Sequence, residues 1–156
     1  MRDKDLYAQI LGIKSPWQVS NVELSLSDGE VTVHVEQEKG AKQCCPTCGE
    51  ISPGYDSRKR SWRHLDTCQY KTLLVADVPR VKCKEHGVVT VSVPWAEPGT
   101  GFTAMFEALV IDWLKEASTF AVSRVACVVY PHRCNVHYCQ SRKIANFDSV
   151  QDQPGI

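Results

Sequence analysis

Two short stretches give this chain its organisation: Cys45-Pro46-Thr47-Cys48-Gly49 and, after 34 residues following Cys48, Cys83-Lys84-Glu85-His86-Gly87. Each offers two ligands three positions apart, the spacing at which a tight turn aims both side chains at one ion. Together Cys45, Cys48, Cys83 and His86 supply the four donors of a tetrahedral site, which points to one structural Zn2+. In both stretches the residue after the second ligand is glycine, where a turn that wraps amides around a ligand needs a positive φ. Pro46 fixes φ just after Cys45 and helps to start the turn. A catalytic zinc keeps one position open for water, and a site with four protein donors has none to spare. Cys44 is left as a buried thiol or a spare ligand, because its three-residue gap to Cys48 suits a knuckle less well.

Outward from the knuckles, the flanking segments read as strands. Trp17 opens an alternating run through Val19, Val22, Leu24 and Leu26, and Ser27-Asp28-Gly29-Glu30 turns it into a second run through Val31, Val33 and Val35. Period and turn chemistry predict a β-hairpin. Between the knuckles, Tyr70 to Val78 is rich in β-branched and aromatic residues, and a second hairpin accounts for a separation too long for an unstructured loop. Val88 to Val93 reads as a further strand. Ahead of all this, residues 5–13 predict a short helix closed by Gly12, with Leu6, Ile10 and Ile13 on its apolar side.

After Glu97-Pro98-Gly99-Thr100-Gly101, read as a linker, the period becomes helical. Phe102, Phe106, Leu109, Val110, Trp113, Leu114 and Ala117 form one stripe, with Thr103 as N-cap. A second helix is expected from Ser118 or Thr119 to about Ala126, so that the pair opens a helix-turn-helix. The predicted class is α+β: a zinc-stapled, zinc-ribbon-like β domain over 1–96, a helical region over 102–126 and a poorly ordered tail over 127–156. A β core of this size needs a staple, and a structural zinc provides roughly 10–16 kcal/mol of apparent binding energy coupled to folding.

The chain has 156 residues and a formal net charge of zero. That zero conceals an uneven distribution: residues 1–38 carry −4, residues 39–86 carry +5 and residues 87–156 carry −1. Positive charge concentrated around the zinc attracts phosphate locally, because screening over about 8–10 Å makes nearby charges count most. The charged start Met1-Arg2-Asp3-Lys4-Asp5 and the absence of any apolar run of about 18 residues predict no membrane association and a cytoplasmic protein with reduced thiols.

Several motifs in a fixed order resemble the DDE transposases of bacterial insertion sequences in the ISL-three group. They are Cys45-Pro46-Thr47-Cys48-Gly49, Arg60-Ser61-Trp62-Arg63-His64-Leu65-Asp66, Val78-Pro79-Arg80-Val81-Lys82-Cys83 with His86-Gly87, Val93-Pro94-Trp95-Ala96, and Phe102-Thr103 with Phe106-Glu107. The resemblance covers roughly residues 6–126. It implies an N-terminal zinc domain and a helix-turn-helix that recognise the terminal inverted repeats, followed in the family by a catalytic domain whose acidic residues hold magnesium. None of the carboxylates here falls in a segment resembling that magnesium site, so no transposase activity is expected of this polypeptide alone. After Ala126 the likeness stops, and the tail reads as a frameshift product. Its Cys127, His132, Cys134, His137 and Cys139 form either a second metal site or, given their one-residue gaps, only an adventitious one.

The expected partner is double-stranded DNA, bound weakly and mainly through phosphates by Arg58, Lys59, Arg60, Arg63 and His64. Within that set Arg58, Lys59 and Arg63 are expected to touch phosphate while Trp62 packs inward; the alternative is a solvated basic turn with Arg63 or His64 paired to Asp66. Self-association, or association with a full-length transposase, is the expected protein contact. The competing reading of the whole chain is a zinc-stapled protein-interaction module that docks through the Phe102–Ala117 helix.

Overall fold

The computed structural model describes residues 2–122. In chain order they form α1 (Asp3–Ile10), β1 (Trp17–Ser25), β2 (Glu30–Gln37), β3 (Gly54–Thr67), β4 (Tyr70–Cys83), β5 (Gly87–Thr90) and α2 (Ala104–Glu116). The chain divides into two units, Met1–Leu109 and Val110–Ile156. Among the described residues no helix is long and apolar enough to cross a membrane. The tail from Cys127, with its proposed second metal ligands, lies outside the described residues.

The first unit is a five-stranded sheet in the order β1-β2-β4-β3, with β5 added beside β4. Both predicted hairpins are present. In the first, a bulge between Val19 and Asn21 absorbs the odd spacing from Val19 to Val22 and keeps both residues opposite core valines, Val35 and Val33. Leu24 and Leu26, expected in the apolar face, are exposed, Leu24 at the far end of this edge strand and Leu26 in the turn after it. The second hairpin is longer than its apolar pattern indicated, with 14 residues in each arm. Its turn is Cys68-Gln69, and Cys68 takes a positive φ of 58°.

β4 is the strand on which the sheet is assembled. β3 pairs antiparallel along almost its full length; β2 pairs parallel with Lys71–Ala76, and β5 pairs antiparallel with Arg80–Cys83. Successive side chains of a strand face opposite ways, and here the buried face changes part-way. Thr72, Leu74, Ala76 and Val78 are buried with Val31, Val33 and Val35, whereas beyond Arg80 it is Val81 and Cys83 that are buried while Lys82 is exposed. The main core thus covers one face of β4 and the knuckles cover the reverse face.

Three tryptophans close the main core. Trp95 meets Trp17 edge-on at 5.0 Å and Trp62 edge-on at 5.4 Å, a geometry worth about 0.5–1.5 kcal/mol per pair beyond area burial. α1 docks differently from expectation. Tyr7 is its buried residue, with its hydroxyl 3.1 Å from Thr67 Oγ1, while Leu6 and Ile10 are exposed. The helix also starts and ends earlier than predicted, and Gly12 at φ 63° follows it.

The stretch Glu97–Gly101 does not run free as a linker. It leads back to β3, where the Arg63 amide donates to Gly101 O at 2.8 Å and the Thr103 amide donates to Arg63 O at 2.9 Å. Phe102 therefore pairs with Arg63 instead of entering the helix. Thr103 caps α2, accepting from the Phe106 amide at 3.3 Å. In the second unit a helical turn opens at Thr119, with the Ala121 amide donating to Ser118 Oγ at 3.3 Å.

Candidate metal centre and its basic flank

The β3–β4 ladder explains how two motifs so far apart in sequence meet. β3 begins directly after the first knuckle and β4 ends in the second, so pairing the arms brings their open ends together. Lys82 donates its amide to Pro53 O at 3.0 Å, and Gly54 pairs with Val81. The first knuckle is a closed turn in which the Cys45 amide donates to Glu50 O at 2.9 Å and the Gly49 amide to Cys45 O at 2.8 Å. The second is the β4–β5 turn, with Cys83 paired to Gly87. Gly49 and Gly87 have φ of 76° and 68°, the left-handed region their positions were expected to need.

The ligand atoms of Cys45, Cys48, Cys83 and His86 all lie within 4.8 Å of one another. Cys48 Sγ is 3.6 Å from Cys83 Sγ, and His86 Nδ1 is 3.5 Å from Cys83 Sγ and 3.8 Å from Cys45 Sγ. A tetrahedron with zinc–sulfur bonds of about 2.3 Å has donor separations of about 3.8 Å. The donor set and its spacing fit one structural zinc. Cys44, in contrast, is exposed and outside the cluster, so it is neither a buried thiol nor a ligand.

Local electrostatics favour the thiolate at Cys83 and Cys45 and oppose the ligand form at Cys48 and His86. The His86 amide, then the His86 ring, lowers the Cys83 thiol to about 6. The Cys48 amide lowers Cys45 in the same way. At Cys48 the Glu50 amide favours the thiolate, but burial and the Cys45 and Cys83 sulfurs together push the thiol up to about 11. His86 is raised, first by Cys83. Three sulfurs this close cannot all ionise without a cation between them, and zinc is that cation.

The basic residues between the knuckles separate into two groups. Gly54–Lys59 is exposed, so Arg58 and Lys59 reach solvent; Trp62 is buried, as expected. Arg63 and His64 are not on the surface. Arg63 is 0% exposed: its guanidinium donates to His64 O, to Thr72 O at 3.2 Å and to Asp66, and lies 5.2 Å from the Phe106 ring centre. His64 is buried with Nδ1 2.9 Å from Thr103 Oγ1. Burial, then the adjacent Arg63 charge, lowers it to about 4, so it is neutral near pH 7. Both are corrections to the expected phosphate contacts, because Gly101 to Phe106 covers this part of β3. The pairing of Arg63 with Asp66 was foreseen, but as part of a solvated turn. Arg60 lies between the groups, donating to Thr100 O at 3.1 Å with its guanidinium 5.4 Å from the Trp62 ring centre.

A Cys3His site closed by two glycine-ended turns at the base of a β-hairpin defines a zinc-ribbon protein. Residues 41–86 match the family model described as the zinc-finger of transposase IS204/IS1001/IS1096/IS1165, and they form a zinc ribbon of the ISL3 transposase type. The chain is similar to the transposase for insertion sequence element IS1557 of Mycobacterium tuberculosis, in both strain CDC 1551 / Oshkosh and strain H37Rv. In each case it is 32% identical over a 123-residue alignment that covers 75% of this chain and 28% of the relative. The chain thus spans less than a third of the length of the curated relatives it matches. No solved structure gives a significant match.

Proposed function

We propose that the zinc-ribbon unit binds double-stranded DNA and serves element-end recognition in an insertion-sequence transposase. The observation that carries this reading is the ISL3-type ribbon with Arg58 exposed on the strand that leaves its first knuckle. Phosphate contacts of this kind position a protein without reading bases, so binding is weak and falls steeply with salt. Terminal inverted repeats are the expected target, and a full-length transposase is the expected protein partner at the same ends. This reading assigns DNA recognition, not strand cleavage, to these residues. Fluorescence anisotropy of the zinc-loaded protein with a terminal repeat and with a scrambled duplex, each at two salt concentrations, tests it. Salt-sensitive binding with a preference for the repeat is expected; no binding to either duplex overturns the reading.

A second reading is a protein-interaction module. Met105 and Ile111 of α2, 47% and 37% exposed, favour it. Such a module sediments in a concentration-dependent way and leaves both duplexes unbound.

A further inference from the structure

The register of the β3–β4 hairpin sorts its exposed and half-buried cations onto two faces that the linear sequence merges. Arg58 pairs with Val78, Asp56 with Arg80 and Lys59 with Asp77. Because paired residues share a face and neighbours alternate, Arg58, Arg80 and Lys82 fall on one face and Lys59 on the other. The first face is the one that holds Leu74, Ala76 and Val78 in the main core. Past Val78 that core ends and the knuckles pack on the reverse side, which leaves this face open at the zinc end. On β5, Val88 pairs with Lys82 and Thr90 with Arg80, so the neighbouring strand adds no acid.

Asp56 is the one carboxylate among the paired positions of this open face, and it is already engaged. Arg80 donates to it through Nε and Nη2, which leaves the outer edge of the guanidinium for another acceptor. Tyr55, 59% exposed, lies against the same guanidinium, 5.6 Å from ring centre to Cζ. The carboxylate and the ring hold Arg80 in one position at low entropic cost. On the reverse face Lys59 stands opposite Asp77, a residue of opposite formal charge. The local excess of positive charge is therefore one-sided.

Resting on the DNA-binding reading, we infer that duplex DNA lies against the open face of the β3–β4 hairpin at its zinc end. Arg58, Arg80 and Lys82 take phosphates there, Asp56 and Tyr55 position Arg80, and Lys59 takes no part. The zinc serves this surface indirectly: by closing the knuckles over the reverse face, it turns Lys82 outward and leaves Arg80, its side chain 19% exposed, at the rim of the open face. Their motif, Val78 to Cys83, lay outside the basic stretch read from the sequence.

The test compares two double variants of equal charge loss in the zinc-loaded full chain, with anisotropy on one labelled duplex across a salt series. Arg58→Ala/Lys82→Ala removes the open face; Lys59→Ala/Lys71→Ala removes lysines from the reverse face. The first lowers the log–log salt slope by about 1.8, at about 0.9 per phosphate contact. The second leaves the slope within about 0.3 of wild type. Equal losses in the two variants, or a larger loss in the second, overturn the inference while leaving DNA binding intact. Absence of binding by the wild-type protein overturns the DNA-binding reading and this surface with it. The cobalt-substituted spectrum verifies the fold of each variant, and Gln in place of Ala at the same two positions replaces either variant that has lost the metal.

Discussion

The amide of Lys82 donates to the carbonyl of Pro53 at 3.0 Å, and this one bond ties the exit of the first knuckle to the approach of the second. The zinc site is thus the closed base of a long hairpin. Metal binding and pairing of the hairpin ends support each other, because neither knuckle alone supplies four donors.

Removal of one ligand tests that coupling. One ligand's share of roughly 10–16 kcal/mol is about 3 kcal/mol, so Cys83→Ser is expected to weaken zinc affinity about 100-fold. Wild type is expected to hold one zinc per chain, and Cys44→Ser is expected to hold it equally well. Competition with a chromophoric chelator measures all three. Loss of affinity in Cys44→Ser at the level of Cys83→Ser would contradict the ligand set.

The knuckle glycines permit a narrower experiment. A Cβ at Gly49, Gly87 or Gly54 meets nothing within 4 Å, but only Gly49 and Gly87 have positive φ. Alanine at Gly49 or Gly87 therefore carries a backbone cost alone, about 1–2 kcal/mol, and zinc affinity is expected to fall about 5- to 30-fold. Gly54→Ala leaves it unchanged. The same chelator titration reads the difference.

Arg63 and Arg58 are five residues apart and have opposite duties. Arg63→Ala removes a buried donor network together with packing against Phe106, and is expected to cost about 2–4 kcal/mol of stability. Arg58→Ala, at an exposed site, is expected to stay within about 0.5 kcal/mol of wild type. Urea unfolding of the zinc-loaded proteins separates them, and an Arg63→Ala midpoint equal to wild type would show that the guanidinium is not part of the core.

His64 makes stability depend on pH in a defined direction. Its folded pKa of about 4 lies below the unfolded value of about 6.5. The unfolded chain takes up the proton first, so this contribution is complete above about pH 6.5 and is lost as pH falls towards 4. His64→Gln, which keeps a side-chain donor for Thr103, removes that dependence. The stability difference between wild type and His64→Gln should therefore shift against wild type by on the order of 1 kcal/mol between about pH 7 and pH 5. Comparing the two proteins cancels the acid lability of the zinc, common to both, and a constant difference would mean that His64 titrates normally.

Reading the residues in order located most of the parts. The ligand set was legible because metal chemistry imposes spacing within each knuckle, and the two hairpins because half-buried strands alternate with period two. The Thr103 cap was legible because it is a local hydrogen bond. The sense of burial along β3 was not. Arg63 and His64 are buried beside the expected Trp62 because the chain returns from Trp95 to lay Gly101 to Thr103 along β3. Nothing local distinguishes Arg63 from Arg58, because both are cations on one strand.

The sequence by itself thus determined the zinc, its four ligands, the β-rich class and the basic character of the segment between the knuckles, each of which follows from short-range spacing or composition. Only the tertiary structure decided which cations face solvent. The ladder register sets the face of each side chain, and the packing of the knuckles on one side and the main core on the other sets which face stays open. Both depend on contacts between residues far apart in the chain.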